Sequence, residues 1–150
     1  MNAVRPVLII ILSFRFGACP DTTRMVKEFN YKIPQQNVLQ LCSETIQNLD
    51  YELDIYAPET NFLVTKPKRL KGVLRRFDYA LAIYVTDKIE VYIIAERHVF
   101  KRSSELSIGG RELVEKQVED RLPIALQNKI FIPLSRAFEK LDFSEIQLTE

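Results

Sequence analysis

The sequence predicts an α+β domain in which a curved antiparallel sheet of four to five strands packs against an N-terminal helix and a long, kinked C-terminal helix. Apolar residues alternate in several short segments, most strongly over 76–86 and 89–100. A helical period of 3.6 runs through 34–50, and apolar residues recur every four positions from Val114 to Ile130. Strands and helices segregated in this way favour an antiparallel sheet with its helices on one face.

The first half of the domain is predicted to hold three strands and one helix. Residues 28–33 alternate and predict the first strand. Pro34 then suits the first turn of a helix, where a backbone N–H has no partner within the helix. Two further strands are expected over 51–57 and 62–65, separated by the turn sequence "PETN".

The second half is predicted to hold a hairpin and the long helix. Asp87 and Lys88 join the two strongest strands, and a connection this short favours a hairpin. Residues 101–112 contain a glycine pair and are predicted to be a linker. Pro123 and Pro133 interrupt the helical pattern, so we expect kinks there. One strand face is expected to pack inside, while the opposite face is only semi-apolar; its residues are Ala80, Ala82, Tyr84, Tyr92 and Ile94.

The composition is that of one globular domain. The chain has 150 residues, of which 47% are hydrophobic and 27% charged, enough for a single core. Its formal net charge of +1 gives no electrostatic reason to expect a nucleic-acid partner. Two cysteines and one histidine form neither a disulfide framework nor a cluster of metal ligands, so no cofactor or metal is expected.

The first 18 residues have the layout of a signal peptide. Arg5 precedes the apolar run "PVLIIIL", and small residues lead to Cys19. The run is shorter than the roughly 20 residues that cross a bilayer. The sequence "FGAC" at 16–19 resembles the bacterial lipobox, whose cysteine receives a lipid and becomes the first residue after cleavage. The resemblance implies a signal peptide at 1–18 and a lipidated Cys19, which a polar tether over 19–27 would follow. The pattern of elements predicts one domain over 28–143 and a tail over 144–150.

Two other interpretations of the N-terminus stay open. The segment 1–18 could be a signal that is cleaved without lipidation. Alternatively, "VLIII" could be a buried strand with Cys19 as a core thiol. The alternatives differ in whether the protein is attached to a membrane at all.

A second resemblance concerns the domain itself. The segment from "FNYKIPQQ" to "FLVT" is similar to small envelope domains of bacterial lipoproteins, with Leu49, Tyr51, Leu63 and Thr65 at matching places. Over about 28–141 the order of elements resembles the helix-grip domains of the accessory lipoprotein C of the β-barrel assembly machinery. The resemblance implies a helix lying against a curved antiparallel sheet, and a non-catalytic role as an adaptor or assembly factor.

No catalytic residue is predicted, and we expect that the protein is not an enzyme. His98 is the single histidine, and it is expected to be an exposed strand residue. Cys42 lies on the apolar stripe of the first helix, which favours burial over a reactive thiolate. Acidic residues such as Asp78 are expected on the solvent side of strands. An enzyme would need a pocket that holds His98 beside a polar partner.

A basic segment is the strongest local charge feature. On a tethered protein it could contact anionic lipid headgroups or an acidic partner protein. It could also bind nucleic acid in a cytosolic chain, or simply be a solvated loop that protects a sheet edge. Its residues are Lys66, Lys68, Arg69, Lys71, Arg75 and Arg76.

The sequence therefore predicts a bacterial envelope lipoprotein, held to a membrane by a lipid on Cys19, with its domain in the periplasm. It would act as a non-catalytic adaptor or assembly factor, with an envelope protein as a possible partner. The alternative is a carrier of a small apolar or lipid-like ligand in a cavity between helix and sheet. Large inner-face residues such as Phe77, Tyr79 and Phe138 favour a filled core and hence the adaptor.

Overall fold

The structure is a computed structural model that describes residues 25–70, 75–102 and 111–147. In chain order the strands are β1 Val26–Asn30, β2 Leu53–Ala57, β3 Phe62–Thr65, β4 Lys68–Arg69, β5 Phe77–Val85, β6 Ile89–Arg102, β7 Arg111–Glu119 and β8 Ser144–Glu145. The helices are α1 Gln35–Asn48 and α2 Ile124–Glu139, with a short 3-10 helix at Pro58–Thr60.

Within these described ranges, eight strands form one antiparallel sheet. Its order is β2-β3-β5-β6-β1-β8, with β4 also paired to β5 and β7 also paired to β6. The long strand β6 carries two neighbours on the side away from β5. Its first residues, Ile89 to Tyr92, pair with β1, and the part from Ala95 onward pairs with β7. The sheet is therefore built around the β5–β6 pair.

The predicted sheet of four to five strands with a long kinked helix is wrong. Residues 111–119, which were expected to end the linker and begin that helix, instead form β7, which pairs with β6. Residues 101–102 of the expected linker belong to β6, and 103–110 lie outside the described residues. A spacing of four, as between Val114 and Val118, fits both a helix and a strand, and the pairing partner β6 decides the outcome. Pro123 stands at the N-cap of α2, and Pro133 lies inside α2 without ending it.

Helix α1 ends in a turn that sets the direction of β2. Asp50 follows the helix with a φ of 62°, a left-handed conformation that aspartate adopts more readily than most residues. The N–H of Asp50 donates to the carbonyl of Gln47, and the N–H of Tyr51 donates to that of Ile46. This pair of bonds is the Schellman arrangement, which satisfies carbonyls at the helix end.

β8 belongs to the sheet, although it lies in the segment expected to be a tail. Asn30 pairs with Ser144, and the N–H of Ile146 donates to the carbonyl of Glu28 over 2.8 Å. The short strand follows directly from α2 and fixes the helix against β1. Phe143, immediately before β8, is buried in the core.

The core lies between one face of the sheet and the two helices. Its largest fully buried side chains are aromatic: Phe29, Phe131, Phe138 and Phe143. The Phe138 ring meets the Phe29 ring edge-on, with 5.0 Å between ring centroids, and the Phe143 ring at 5.6 Å. Such edge-to-face contacts add roughly 0.5–1.5 kcal/mol per pair to the burial of apolar area.

Cys42 makes the stability of this core depend on pH at the alkaline end. Burial raises the pKa of its thiol from an ordinary value of 9.0 to about 12. Above pH 9 the thiol of the unfolded chain ionises while the native thiol keeps its proton. The contribution of the un-ionised thiol to the free energy of unfolding is therefore fully present below pH 9. We expect the free energy of unfolding to fall as the pH rises toward 12, by up to about 1.4 kcal/mol per pH unit.

Urea denaturation at several pH values between 8 and 11 measures this effect. Burial likewise raises the pKa of Tyr51 and Tyr79, so the wild-type slope has more than one source. Cys42→Ala removes the thiol alone, and we expect a shallower decline for this variant. Parallel declines in the two proteins would contradict the burial of an un-ionised Cys42.

Candidate interaction surface

The sheet face that points away from the helices is apolar where β3, β5 and β6 meet. The strand registers bring its residues side by side: Phe62 is opposite Tyr84, Ala82 lies between Val64 and Tyr92, and Ala80 is opposite Ile94. We call this set the outer apolar face; it consists of Phe62, Val64, Ala80, Ala82, Tyr84, Tyr92 and Ile94.

The outer apolar face has a low floor and raised sides. Ala80 and Ala82 are buried beneath their larger neighbours, whereas Tyr84 is 42% exposed and Ile94 is 47% exposed. The Tyr84 ring lies 4.3 Å from the Phe62 ring and meets the Tyr92 ring edge-on at 6.0 Å, measured between centroids. The result is a shallow depression with aromatic and aliphatic walls, a shape that suits an apolar side chain of a partner.

Charged residues border this face at its β1 end and are paired with one another. Lys88 Nζ lies 2.8 Å from a carboxylate oxygen of Glu28 and 3.3 Å from one of Glu90. The Tyr92 hydroxyl donates to Glu90 over 2.8 Å, and this bond is the main reason that the pKa of Tyr92 is raised. An apolar centre with a polar border is the usual anatomy of a protein interface.

Two strands contribute outer-face residues that the sequence analysis did not single out. Phe62 and Val64 alternate with the buried Leu63 and Thr65 in "FLVT". The sequence could have indicated this, because the first three residues of "FLVT" are all apolar, and such a run makes both faces of a strand apolar. Ile55 of β2, opposite Val64, is 47% exposed and extends the apolar surface toward the sheet edge.

The basic segment is divided by the structure. Lys66 pairs with Glu52 at 2.9 Å, an exposed ion pair that contributes little to stability. Lys68 donates to the carbonyls of Leu49 and Asp50, and its Nζ lies 4.3 Å from the Tyr51 ring centroid. These two lysines thus make contacts inside the domain. Arg69, Arg75 and Arg76 are exposed, and Lys71 lies outside the described residues, so a contact role for the segment stays a prediction.

The expectation of an exposed His98 is wrong. Its side chain is 3% exposed, and its Nε2 lies 2.7 Å from Oδ2 of Asp78, whose side chain is 18% exposed. The pairing of β7 with this part of β6, with Lys116 opposite His98, puts a further strand beside the histidine. His98 has the polar partner that acid–base chemistry would use, but its burial leaves a substrate little access.

The described residues hold no group of three or more His, Cys, Asp or Glu side chains placed to bind a metal ion. Neither described helix combines the length and apolar character needed to span a bilayer. Cys19, the predicted lipidation site, lies outside the described part of the chain.

Comparison with known proteins gave no relative: no family model, curated protein or solved structure matches the chain.

Proposed function

We propose that this protein is an envelope lipoprotein, anchored through a lipid on Cys19, that acts as a non-catalytic adaptor or assembly factor. Its domain binds a partner protein of the envelope through the outer apolar face. The N-terminal sequence supports the anchor, because a positive start, an apolar run and "FGAC" precede the domain in the order that lipidation requires.

The outer apolar face is the observation that carries the adaptor role. Tyr84, Tyr92 and Ile94 project from the centre of the sheet, where the buried Ala82 leaves a depression between them. Clustered exposed apolar residues on a soluble domain mark interaction sites, because exposing them to water costs free energy that a partner recovers. Tyrosine is enriched at such sites, since it offers a large apolar ring and a polar hydroxyl together.

The packing of the core supports an adaptor more than a ligand carrier. A carrier of the helix-grip type needs a cavity between the helices and the sheet. Among the described residues, Phe29, Phe138 and Phe143 pack together between the helices and the sheet at 0–1% exposure. A cluster of accessible apolar residues in the described part of the chain lies instead on the other face of the sheet, where it is open to a macromolecule.

Site-specific photo-crosslinking in cells tests the adaptor role. A benzophenone amino acid is placed at Tyr84 in the outer apolar face, and a matched control places it at Gln36, an exposed residue of α1. We expect a discrete adduct of constant mass from position 84 and none from position 36. Combining the probe at 84 with Ile94→Asp should remove the adduct, because a carboxylate in the centre of the contact must be desolvated without a partner.

Two outcomes would contradict the proposal. The first is the same set of adducts from both positions, which would mean collisions rather than binding. The second is no adduct from position 84 while the protein is correctly folded and processed. Ile94 is 47% exposed, so the aspartate variant is expected to stay folded with a modest loss of stability, since aspartate is disfavoured in strands. Its urea denaturation curve, measured beside that of the wild type, separates loss of binding from loss of fold.

A further inference from the structure

The solvent side of α2 combines basic and apolar side chains. Lys129, Arg136 and Lys140 recur at intervals of seven and four residues and are exposed. Ile132 lies between them in the same row and is 45% exposed. These spacings place the four side chains on one side of the helix, opposite the buried row that includes Phe131 and Phe138. We call this row the α2 basic face.

Acidic residues lie to one side of the α2 basic face. Glu139 and Asp142 line a depression beside β8 together with Glu145. Glu139 and Asp142 thus lie on the flank of α2 that faces β8, whereas Arg136 and Lys140 belong to the outward row. An exposed basic residue and an exposed apolar residue also occur near the start of the helix: Arg121 is exposed, and Ile124, three residues later, is 54% exposed.

The described chain begins beside this helix. The N–H of Leu122, two residues before α2, donates to Sδ of Met25 over 3.3 Å. Met25 is partly buried and packs against the core, so the entry point of the chain is fixed there. Cys19 precedes Met25 by six residues, a stretch that spans at most about 21 Å even when fully extended. A lipid on Cys19 would hold the start of α2 within that distance of the bilayer.

We propose that the α2 basic face lies on the surface of a bilayer that contains anionic phospholipid. The inference rests on the proposed function, since the lipid on Cys19 brings the helix to the membrane. The guanidinium group of Arg136 and the ammonium group of Lys140 pair with lipid phosphates, and Ile132 enters the headgroup region. The helix lies in the interface plane and does not cross the membrane.

This orientation gives the domain two separate surfaces. α2 packs on the inner face of the sheet, so the outer apolar face is on the opposite side of the molecule. When the α2 basic face contacts the bilayer, Tyr84 and Ile94 point away from it. The protein partner and the membrane then do not compete for the same residues.

Single-tryptophan reporters test the orientation, because the chain contains no tryptophan. Ile132→Trp and Tyr84→Trp are each made in the full chain as cells process it. Each protein is placed in vesicles of phosphatidylcholine and phosphatidylglycerol with brominated acyl chains. We expect the fluorescence of the tryptophan at 132 to be strongly quenched by the bromine atoms and shifted to the blue. The fluorescence of the tryptophan at 84 should show neither change. Equal spectra at the two positions, or quenching at 84 alone, would overturn the proposal.

A pair of charge variants tests the electrostatic part. In the Ile132→Trp background, Arg136→Gln should weaken docking of the helix about fivefold, the equivalent of about 1 kcal/mol for one basic residue at an anionic surface. Lys116→Gln removes the same charge from β7, where the lysine pairs with Glu96 of the outer sheet face, and should change nothing. Equal effects of the two variants would refute specific docking through α2.

The intact mass of the same samples separates this inference from the proposed function. A lipidated protein without quenching at 132 would refute the α2 contact and leave the anchor standing. A protein without lipid would refute the anchor, whereas selective quenching at 132 on added vesicles would still support the α2 contact.

Discussion

Phe138→Ala is expected to lower the free energy of unfolding by about 3–5 kcal/mol. The side chain is 0% exposed, and its ring packs edge-on against Phe29 and Phe143. Truncation removes the buried ring and leaves a cavity that two rigid aromatic neighbours cannot fill. Domains of this size are commonly stable by only about 5–15 kcal/mol. Urea denaturation followed by circular dichroism measures the change.

The matched control is Ile132→Ala on the same helix. Ile132 is 45% exposed, so the loss of its side chain should cost no more than about 0.5 kcal/mol in solution. Both substitutions introduce alanine, which has the highest helix propensity, and the difference between them therefore reports packing. Similar losses at the two positions would contradict the assignment of Phe138 to the centre of the core.

Local sequence patterns were sufficient for α1, β5 and β6. The hydrophobic stripe of α1 and the alternation in the two strands are strong, and the link at Asp87 and Lys88 leaves little choice of pairing. The strands end within two residues of the expected positions, at Phe77–Val85 and Ile89–Arg102. Short-range patterns are sufficient for such elements, because the length of the turn and the alternation on both strands indicate the same hairpin.

β7 and His98 show where local patterns are insufficient. The sequence "RELVEKQVE" fits a helix as well as a strand, and the extended β6 beside it supplies the hydrogen bonds that select the strand. The burial of His98 depends on that same pairing, so a wrong element for 111–119 also gave a wrong environment for the histidine. Its partner Asp78 is twenty residues earlier in the chain and no spacing rule links the two.

The candidate surfaces also differ in how well they were predicted, because some depend on local patterns and others on contacts between residues far apart in the chain. The semi-apolar side of β5 and β6 follows from alternation alone, and it forms the centre of the outer apolar face. The contacts of Lys66 and Lys68 depend on residues 14 to 19 positions away, which only the folded β2–β3 arrangement brings near. The residues of the α2 basic face lie within the C-terminal helix that the sequence predicts, but the prediction followed only the apolar residues of that helix and did not consider its opposite side.

Cys19→Ala is expected to have an all-or-none effect on the attachment of the protein to membranes. The wild-type protein, extracted from membranes, should show an intact mass that lacks residues 1–18 and carries a diacyl or triacyl addition. The variant should lose that addition and the cleavage that depends on it, because the proposed thioether would form on this sulfur. We expect most of the wild type in the membrane fraction.

Cys42→Ala is the matched control, because Cys42 is the only other cysteine of the chain. Its thiol is 0% exposed, and burial raises its pKa to about 12, so it cannot take over the lipid when Cys19 is replaced. The Cys42 variant should therefore keep the lipid mass. A full-length, unmodified wild-type chain in the soluble fraction would contradict the anchor, and Cys19 would then be better explained as a core thiol. A cleaved chain without added mass would instead indicate an unlipidated secreted domain, for which the outer apolar face remains the surface to test.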